Sequence, residues 1–174
     1  MIASSSVAGR SGPFEVQDDH IRLPDGAEAA YTVIRSPDSA FVVPYFENDD
    51  TMLVRQWRHA WDESSWEVPA GTFSEGEDPI QCAARELEEE TGLVAGLLEP
   101  LGVVHGAAVL TGRAHLFLGR QITESKRHPE AYEQDMEVLR LPFAEAVEAA
   151  LDGSIVHAGS VTALLRAARR LSRI

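Results

Sequence analysis

Cysteine is almost missing from this chain of 174 residues. Cys82 is its single thiol, so no disulfide can form within the chain and a reducing cytoplasm is the expected setting. Basic side chains are scarce as well. Fifteen lysines and arginines stand against 28 aspartates and glutamates, a formal net charge of -13. No broad basic surface can be built from that balance, which argues against nucleic acid as a general partner. Long apolar runs are absent: none approaches the roughly 20 residues needed to span a bilayer. The N-terminal stretch also lacks the basic start and apolar centre of a signal peptide. Internal repeats and low-complexity tracts are missing too. What is present, a composition 44% hydrophobic, suffices for one domain with a full core.

The pattern along the chain predicts an α+β domain over residues 13–174, preceded by a flexible tail over 1–12. Ile21–Leu23 and Ala30–Ile34 flank the turn sequence Pro24-Asp25-Gly26 and predict a β-hairpin. Ala40–Phe46, Thr51–Trp57 and Ser65–Val68 read as further strands. Asp78 before Pro79 is a helix start, an N-cap followed by proline at the first helical position, and Gly92 is a stop. Strands are expected over 94–98, 101–105, 114–118 and 136–141. Helices are expected over 143–151 and 161–171. The arginines at 166, 169, 170 and 173 suit the dipole at the end of the last helix.

The helix between Asp78 and Gly92 carries Glu86, Glu88, Glu89 and Glu90. Like charges at helical spacing destabilise a helix unless something neutralises them. At about 100° per residue, Glu86, Glu89 and Glu90 share one arc. Ile80, Ala83, Ala84 and Leu87 occupy the neighbouring arc, which is expected to pack on a sheet, and Glu88 points toward solvent. A solvated acidic face is the ordinary fate of a charge run. It accounts for Glu88, but not for three carboxylates gathered beside an apolar stripe with a glycine at each end. An all-oxygen cluster of this kind suits a hard cation such as Mg²⁺, with Mn²⁺ a possible substitute, and carboxylate-held metal points to phosphate chemistry. Arg85 lies four residues before Glu89, the spacing of an orienting ion pair.

Gly71, then Glu77, then Arg85-Glu86-Leu87-Glu88-Glu89-Glu90-Thr91-Gly92-Leu93 fill every specified position of the Nudix signature. On those residues the chain resembles the Nudix hydrolases. Leu53-Val54-Arg55-Gln56-Trp57-Arg58 and Trp66-Glu67-Val68-Pro69-Ala70-Gly71 resemble the "RQYR" and "WELPAG" segments of the ADP-ribose pyrophosphatase branch. His115–Leu118 and Glu137–Phe143 are similar to it as well. The resemblance spans residues 14–172 and is strongest over 40–93. It implies an α/β/α sandwich around a mixed central sheet, here with an N-terminal β-hairpin extension. It also implies hydrolysis of the pyrophosphate bond in ADP-ribose or a related nucleoside diphosphate sugar. The chain departs from the branch over 105–112, where a proline is usual, and at Gly112 itself, where a glutamate is usual.

Carried over by position, the resemblance implies that Glu86, Glu89, Glu90 and the carbonyl of Ala70 hold the metal. Arg85 would orient a metal-holding glutamate, and Glu77 would brace the loop. A general base from an acidic loop outside the signature is implied, with Glu133 the first candidate and Glu130 the second. For substrate, Arg58 suits phosphate or ribose oxygens. Glu67 suits donors of the base or ribose, and Trp57, with Trp61 and Trp66, offers a ring for stacking. Arg55, on the opposite side of its strand, suits a structural ion pair. Branch members form homodimers through N-terminal strands, so a homodimer is implied, with a small-molecule nucleotide as ligand and neither nucleic acid nor membrane as partner. Two alternatives stand beside this reading: a Nudix hydrolase for a dinucleoside polyphosphate or damaged nucleotide, and a non-catalytic nucleotide sensor.

Overall fold

The computed structural model describes residues 2–127 and 135–174. The chain divides into two compact units, one of Met1–Asp38 with His105–Arg113, the other of Ser39–Val104 with Ala114–Ile174.

The first unit is an antiparallel sheet of β1 (Ile2–Ser11), β2 (Phe14–Arg22) and β3 (Glu28–Arg35), in that order. The turn at Pro24-Asp25-Gly26 closes as expected: Gly26 has φ +87°, a conformation that favours glycine, and its N–H donates to the Leu23 carbonyl. The expected hairpin is therefore the central strand and one edge of a three-stranded sheet. Residues expected as a flexible tail form β1, paired with β2 from Ile2 against Ile21 to Ser11 against Phe14. Every residue of β1 is exposed. What holds the strand is the backbone ladder, and its serine, alanine and glycine side chains show no apolar alternation that would announce it. In the same unit, Gly112 lies against Pro37: a Cβ there would stand 2.2 Å from the Pro37 carbonyl oxygen. Its N–H donates to Ser36 Oγ. A glutamate has no room at this position, which gives the departure from the branch pattern a steric reason.

The second unit is built on β4 (Ser39–Pro44), β5 (Asp50–Arg58), β6 (Glu63–Glu67), β7 (Ala70–Thr72), β8 (Leu93–His105), β9 (Arg113–Glu124) and β10 (Glu137–Pro142). Its helices are α1 (Pro79–Thr91), α2 (Phe143–Asp152) and α3 (Ala158–Arg170). One sheet runs β7-β4-β9-β8 and a second runs β10-β5-β6. The first is mixed, with β4 antiparallel to β7 and parallel to β9. The two strands expected over 94–98 and 101–105 are one strand, β8.

Side-chain alternation on β4 and β9 makes this unit a sandwich. Phe41, Val43, Leu116 and Leu118 pack with Phe143, Val147, Ala163 and Leu164 of α2 and α3. Ala40, Val42 and Phe117 point the other way, to Cys82, Ala83 and Leu87 of α1. Both faces of the central strands are therefore covered by helix, as near-continuous apolar runs require. Cys82 is a buried packing residue. Burial, followed by the charges of Glu86 and Glu77, pushes its thiol up to about 12, so it is neither nucleophile nor ligand at neutral pH.

Candidate active site

The acidic helix is α1, and its ends are as the sequence predicts. Asp78 caps it by accepting from the N–H groups of Ile80 and Gln81. The Gln81 side chain accepts from the Asp78 N–H, completing a capping box. Gly92, in the left-handed region, closes the other end.

The buried face of α1 is only in part the expected one: Ala83 and Leu87 are buried as predicted. It consists of Cys82, Ala83, Glu86, Leu87 and Glu90, whereas Ile80 and Ala84 are exposed. Hydrophobicity ranks Ile80 above glutamate, but the neighbour of this face includes the backbone of β7, which rewards polar partners. Glu90 is 1% exposed, and its Oε2 accepts from the Ala70 N–H at 3.0 Å. Glu86 lies against Gly71, where a Cβ would stand 2.0 Å from Glu86 Oε1. The two glutamates thus occupy space that Gly71 leaves open.

Arg85 supplies the countercharge. Its Nη1 lies 2.7 Å from Glu86 Oε1 and 2.8 Å from Glu89 Oε2. Its Nε and Nη2 hold both oxygens of Glu77, at 2.8 and 2.9 Å, and Nη2 also donates to the Thr72 carbonyl. Glu77 in turn accepts from the Ser74 N–H, which ties the loop. The Arg85 bonds bring the Glu77 carboxyl down to about 2 despite partial burial. The same partners, Glu77 foremost, raise Arg85 above its ordinary value. Among the described residues no three acidic, histidine or cysteine side chains converge as a ready-made metal cage. The donor chemistry nonetheless fits a hard divalent cation: two buried carboxylates, a third beside them and a carbonyl-rich strand edge form an oxygen-only set. Mg²⁺ keeps several waters and needs only one or two carboxylates from protein, so an open set meets its demands.

A cavity of about 440 Å³ opens beside β7, lined by Trp57, Arg58, Trp61, Ala70, Gly71 and His157 among others. Ala70 and Gly71 line this cavity and also touch Glu90 and Glu86, so two residues of β7 adjoin both carboxylates and cavity. Arg58 and Glu67 face each other across β5 and β6. Arg58 Nε and Nη2 donate to Glu67 Oε1 and Oε2 at 2.7 and 2.5 Å. His157 Nδ1 is 2.6 Å from Glu67 Oε2. Burial pushes the Glu67 carboxyl up, but the bonds from Arg58 and His157 outweigh it and bring it down to about 2. Of the tryptophans, Trp57 and Trp61 line the cavity, while Trp66 packs against the core. Arg55 pairs with Glu137 across β5 and β10. Glu133 and Glu130 lie outside the described residues.

The sequence points to Arg58, Glu67 and Trp57; Trp57 and Arg58 line the cavity, whereas Glu67, expected to accept from the base or ribose, is 1% exposed with both oxygens engaged by Arg58 and His157. The sequence misses His157, which stands far along the chain from both segments and carries no motif of its own. Glu67 makes the stability of the fold depend on pH. Its folded value of about 2 lies below the ordinary 4.5, so the stability it contributes is complete above about pH 4.5 and is lost as pH falls toward 2. Urea unfolding followed from pH 6 to pH 2 is expected to show the midpoint falling through that window, and Glu67→Gln to flatten the fall.

The comparisons with known proteins agree with this architecture. The NUDIX domain model matches residues 35–158. An ADP-ribose pyrophosphatase of Mycobacterium tuberculosis is 32% identical over 167 residues, covering 93% of this chain and 80% of the relative. An ADP-ribose pyrophosphatase of Bacillus subtilis is 26% identical and covers 75% of this chain and 71% of its own. A methanol dehydrogenase activator of Bacillus methanolicus is 27% identical over 82% of this chain and 74% of its own. The crystal structure of an ADP compounds hydrolase superposes with a TM-score of 0.88 over 99% of this chain and 94% of that one, at 20% identity, a likeness of fold. A mixed sheet between helices, with the glycine-bounded carboxylate helix against its β7 edge, defines a Nudix hydrolase, and the chain belongs to that family. Within the family its sequence places it in the ADP-ribose pyrophosphatase-like branch.

Proposed function

We propose that this protein hydrolyses the pyrophosphate bond of ADP-ribose or a related nucleoside diphosphate sugar, with Mg²⁺ as cofactor and Mn²⁺ as a substitute. The observation that carries the reading is the shared wall: Ala70 and Gly71 meet the α1 carboxylates and also line a cavity of about 440 Å³ that holds an arginine and two tryptophans. The names of the relatives support the substrate class.

Glu86, Glu89, Glu90 and the Ala70 carbonyl would hold the metal. A divalent cation bound there supplies charge neutralisation for the diphosphate and acidifies water. The chain's own residues do the rest. Arg85 holds Glu89 and Glu86 in place, and Glu77 fixes Arg85. Arg58 meets phosphate or ribose oxygens from the cavity wall, and Glu67, buried, acts by locking the Arg58 guanidinium in one plane. Trp57 offers its exposed ring to the base. Glu133 takes the proton of the attacking water. We assign the working form as a homodimer in the cytoplasm, with a small nucleotide as its ligand and neither nucleic acid nor membrane as partner. Among the described residues no helix is long and apolar enough to cross a membrane.

The purified protein is expected to release AMP and ribose 5-phosphate from ADP-ribose in Mg²⁺, and to stop on addition of EDTA. A panel adding another nucleoside diphosphate sugar and a dinucleoside polyphosphate decides the substrate. Efficient turnover of a panel member with ADP-ribose untouched overturns the assignment. Tight ADP-ribose binding by calorimetry without turnover in either metal would make the domain a sensor.

A further inference from the structure

His157 is the N-cap of α3, a position that usually places a short polar side chain over the first N–H groups of its helix. Its side chain makes no such bond. The ring is directed elsewhere and is held on several sides. Nδ1 lies 2.6 Å from Glu67 Oε2 and 3.1 Å from Ser160 Oγ. Ser160 is fully buried, and its Oγ is itself fixed by accepting from the Val68 N–H. The ring faces Phe41 at 5.4 Å and Trp61 at 5.7 Å between centroids. Gly159 makes that seating possible, because a Cβ there would stand 2.5 Å from the Phe41 ring. The first turn of α3 therefore presses directly on Phe41 and delivers His157 to the cavity wall.

The chemistry of the ring follows from its partner. A carboxylate only accepts hydrogen bonds, so the nitrogen facing Glu67 carries the hydrogen. In the neutral ring Nε2 is then an acceptor, and the contact at Nδ1 fixes that tautomer. Nδ1 is engaged by the buried Glu67, which leaves Nε2 as the ring nitrogen to serve the cavity that His157 lines. There it stands beside two tryptophan rings suited to a nucleobase and beside Arg58. Tryptophan rings bind a base by its face and barely distinguish one base from another, and a guanidinium recognises acceptors. The acceptor on His157 adds recognition of a hydrogen-bond donor.

We propose that His157 is a specificity-determining residue of this cavity, its Nε2 accepting a hydrogen bond from a hydroxyl or amino group at the nucleoside end of the substrate. This rests on the nucleotide-sugar reading of the same site.

The test compares wild type with His157→Asn, which keeps an N–H toward Glu67 and removes the far ring nitrogen. Assays run at pH 8.5. Substrates are ADP-ribose and analogues each lacking one donor, either the purine amine or one adenosine ribose hydroxyl. Wild type is expected to show a KM about tenfold higher for one of these analogues, the scale of one hydrogen bond. His157→Asn is expected to raise KM for ADP-ribose by a similar factor, with kcat moving less than twofold, and to treat that analogue and the parent alike. An unchanged KM, or a discrimination pattern identical to wild type, overturns the proposal. Should the variant unfold, nitrogen NMR of the wild-type histidines decides: AMP is expected to shift the His157 Nε2 resonance, and saturating AMP without a shift overturns the proposal. If wild type leaves ADP-ribose untouched, the substrate reading fails by itself, and the same comparison runs on whichever nucleotide of the panel is hydrolysed.

Discussion

Glu90→Gln is expected to lower kcat by about 10³-fold, because cation-assisted charge stabilisation supplies several kcal/mol and each 1.4 kcal/mol is a factor of ten. The change is close to isosteric. Glu90 is 1% exposed and takes the Ala70 N–H, a bond that an amide oxygen can still accept. Its charge is one of four glutamates around α1 and the loop before it that share the single guanidinium of Arg85 or crowd beside it. Removing it relieves repulsion in the metal-free protein. Melting in EDTA is therefore expected to be no lower than wild type while activity collapses, a separation of stability from function typical of strained sites. Steady-state kinetics in Mg²⁺ read the first effect and calorimetry the second. A kcat within tenfold of wild type would remove Glu90 from the metal set.

The second large effect is at Gly71. An alanine there would place Cβ 2.0 Å from Glu86 Oε1 and 2.1 Å from its Cδ, so the carboxylate must move. Because the obstructing atoms are the end of a side chain, the stability cost is expected to stay near the lower end of the about 1–3 kcal/mol typical of overpacking. The catalytic cost is larger, since displacing a catalytic group by an ångström costs about 10²-fold. Gly71→Ala should therefore fold and melt near wild type yet lose about 10²-fold in kcat. Glu86→Gln in the same background should lower kcat by less than it does alone, because the carboxylate is already out of position. A Gly71→Ala enzyme with full activity would show that Glu86 is free to serve from elsewhere.

Legibility in the sequence followed the range of the interactions. The limits of α1 were readable because Asp78, Pro79 and Gly92 act within one helical turn of the ends they set. The Arg58–Glu67 pair was half readable. Both residues could be singled out as ligand contacts, but their pairing depends on β5 folding back on β6. The buried face of α1 was misjudged at Ile80 and Ala84, because a helical wheel ranks side chains by hydrophobicity and says nothing of the surface they will meet. Strand β1 was missed because its stability lies in backbone pairing, to which its exposed serines and glycine contribute no pattern.

By itself the sequence determined the family and the chemistry available to it. A glycine, a capped helix, one arginine and clustered glutamates at set spacing are local features, and their arrangement survives any reading of the rest. Tertiary structure alone decided what those features face. It buried Glu86 and Glu90 against Ala70 and Gly71, lined a cavity with the same two residues, and brought His157 to Glu67 from the start of α3. The reason is physical. Helix ends and ion-pair spacings are set by neighbours along the chain. The environment of a carboxylate or an imidazole is set by packing between elements far apart in sequence, and no local pattern carries that information.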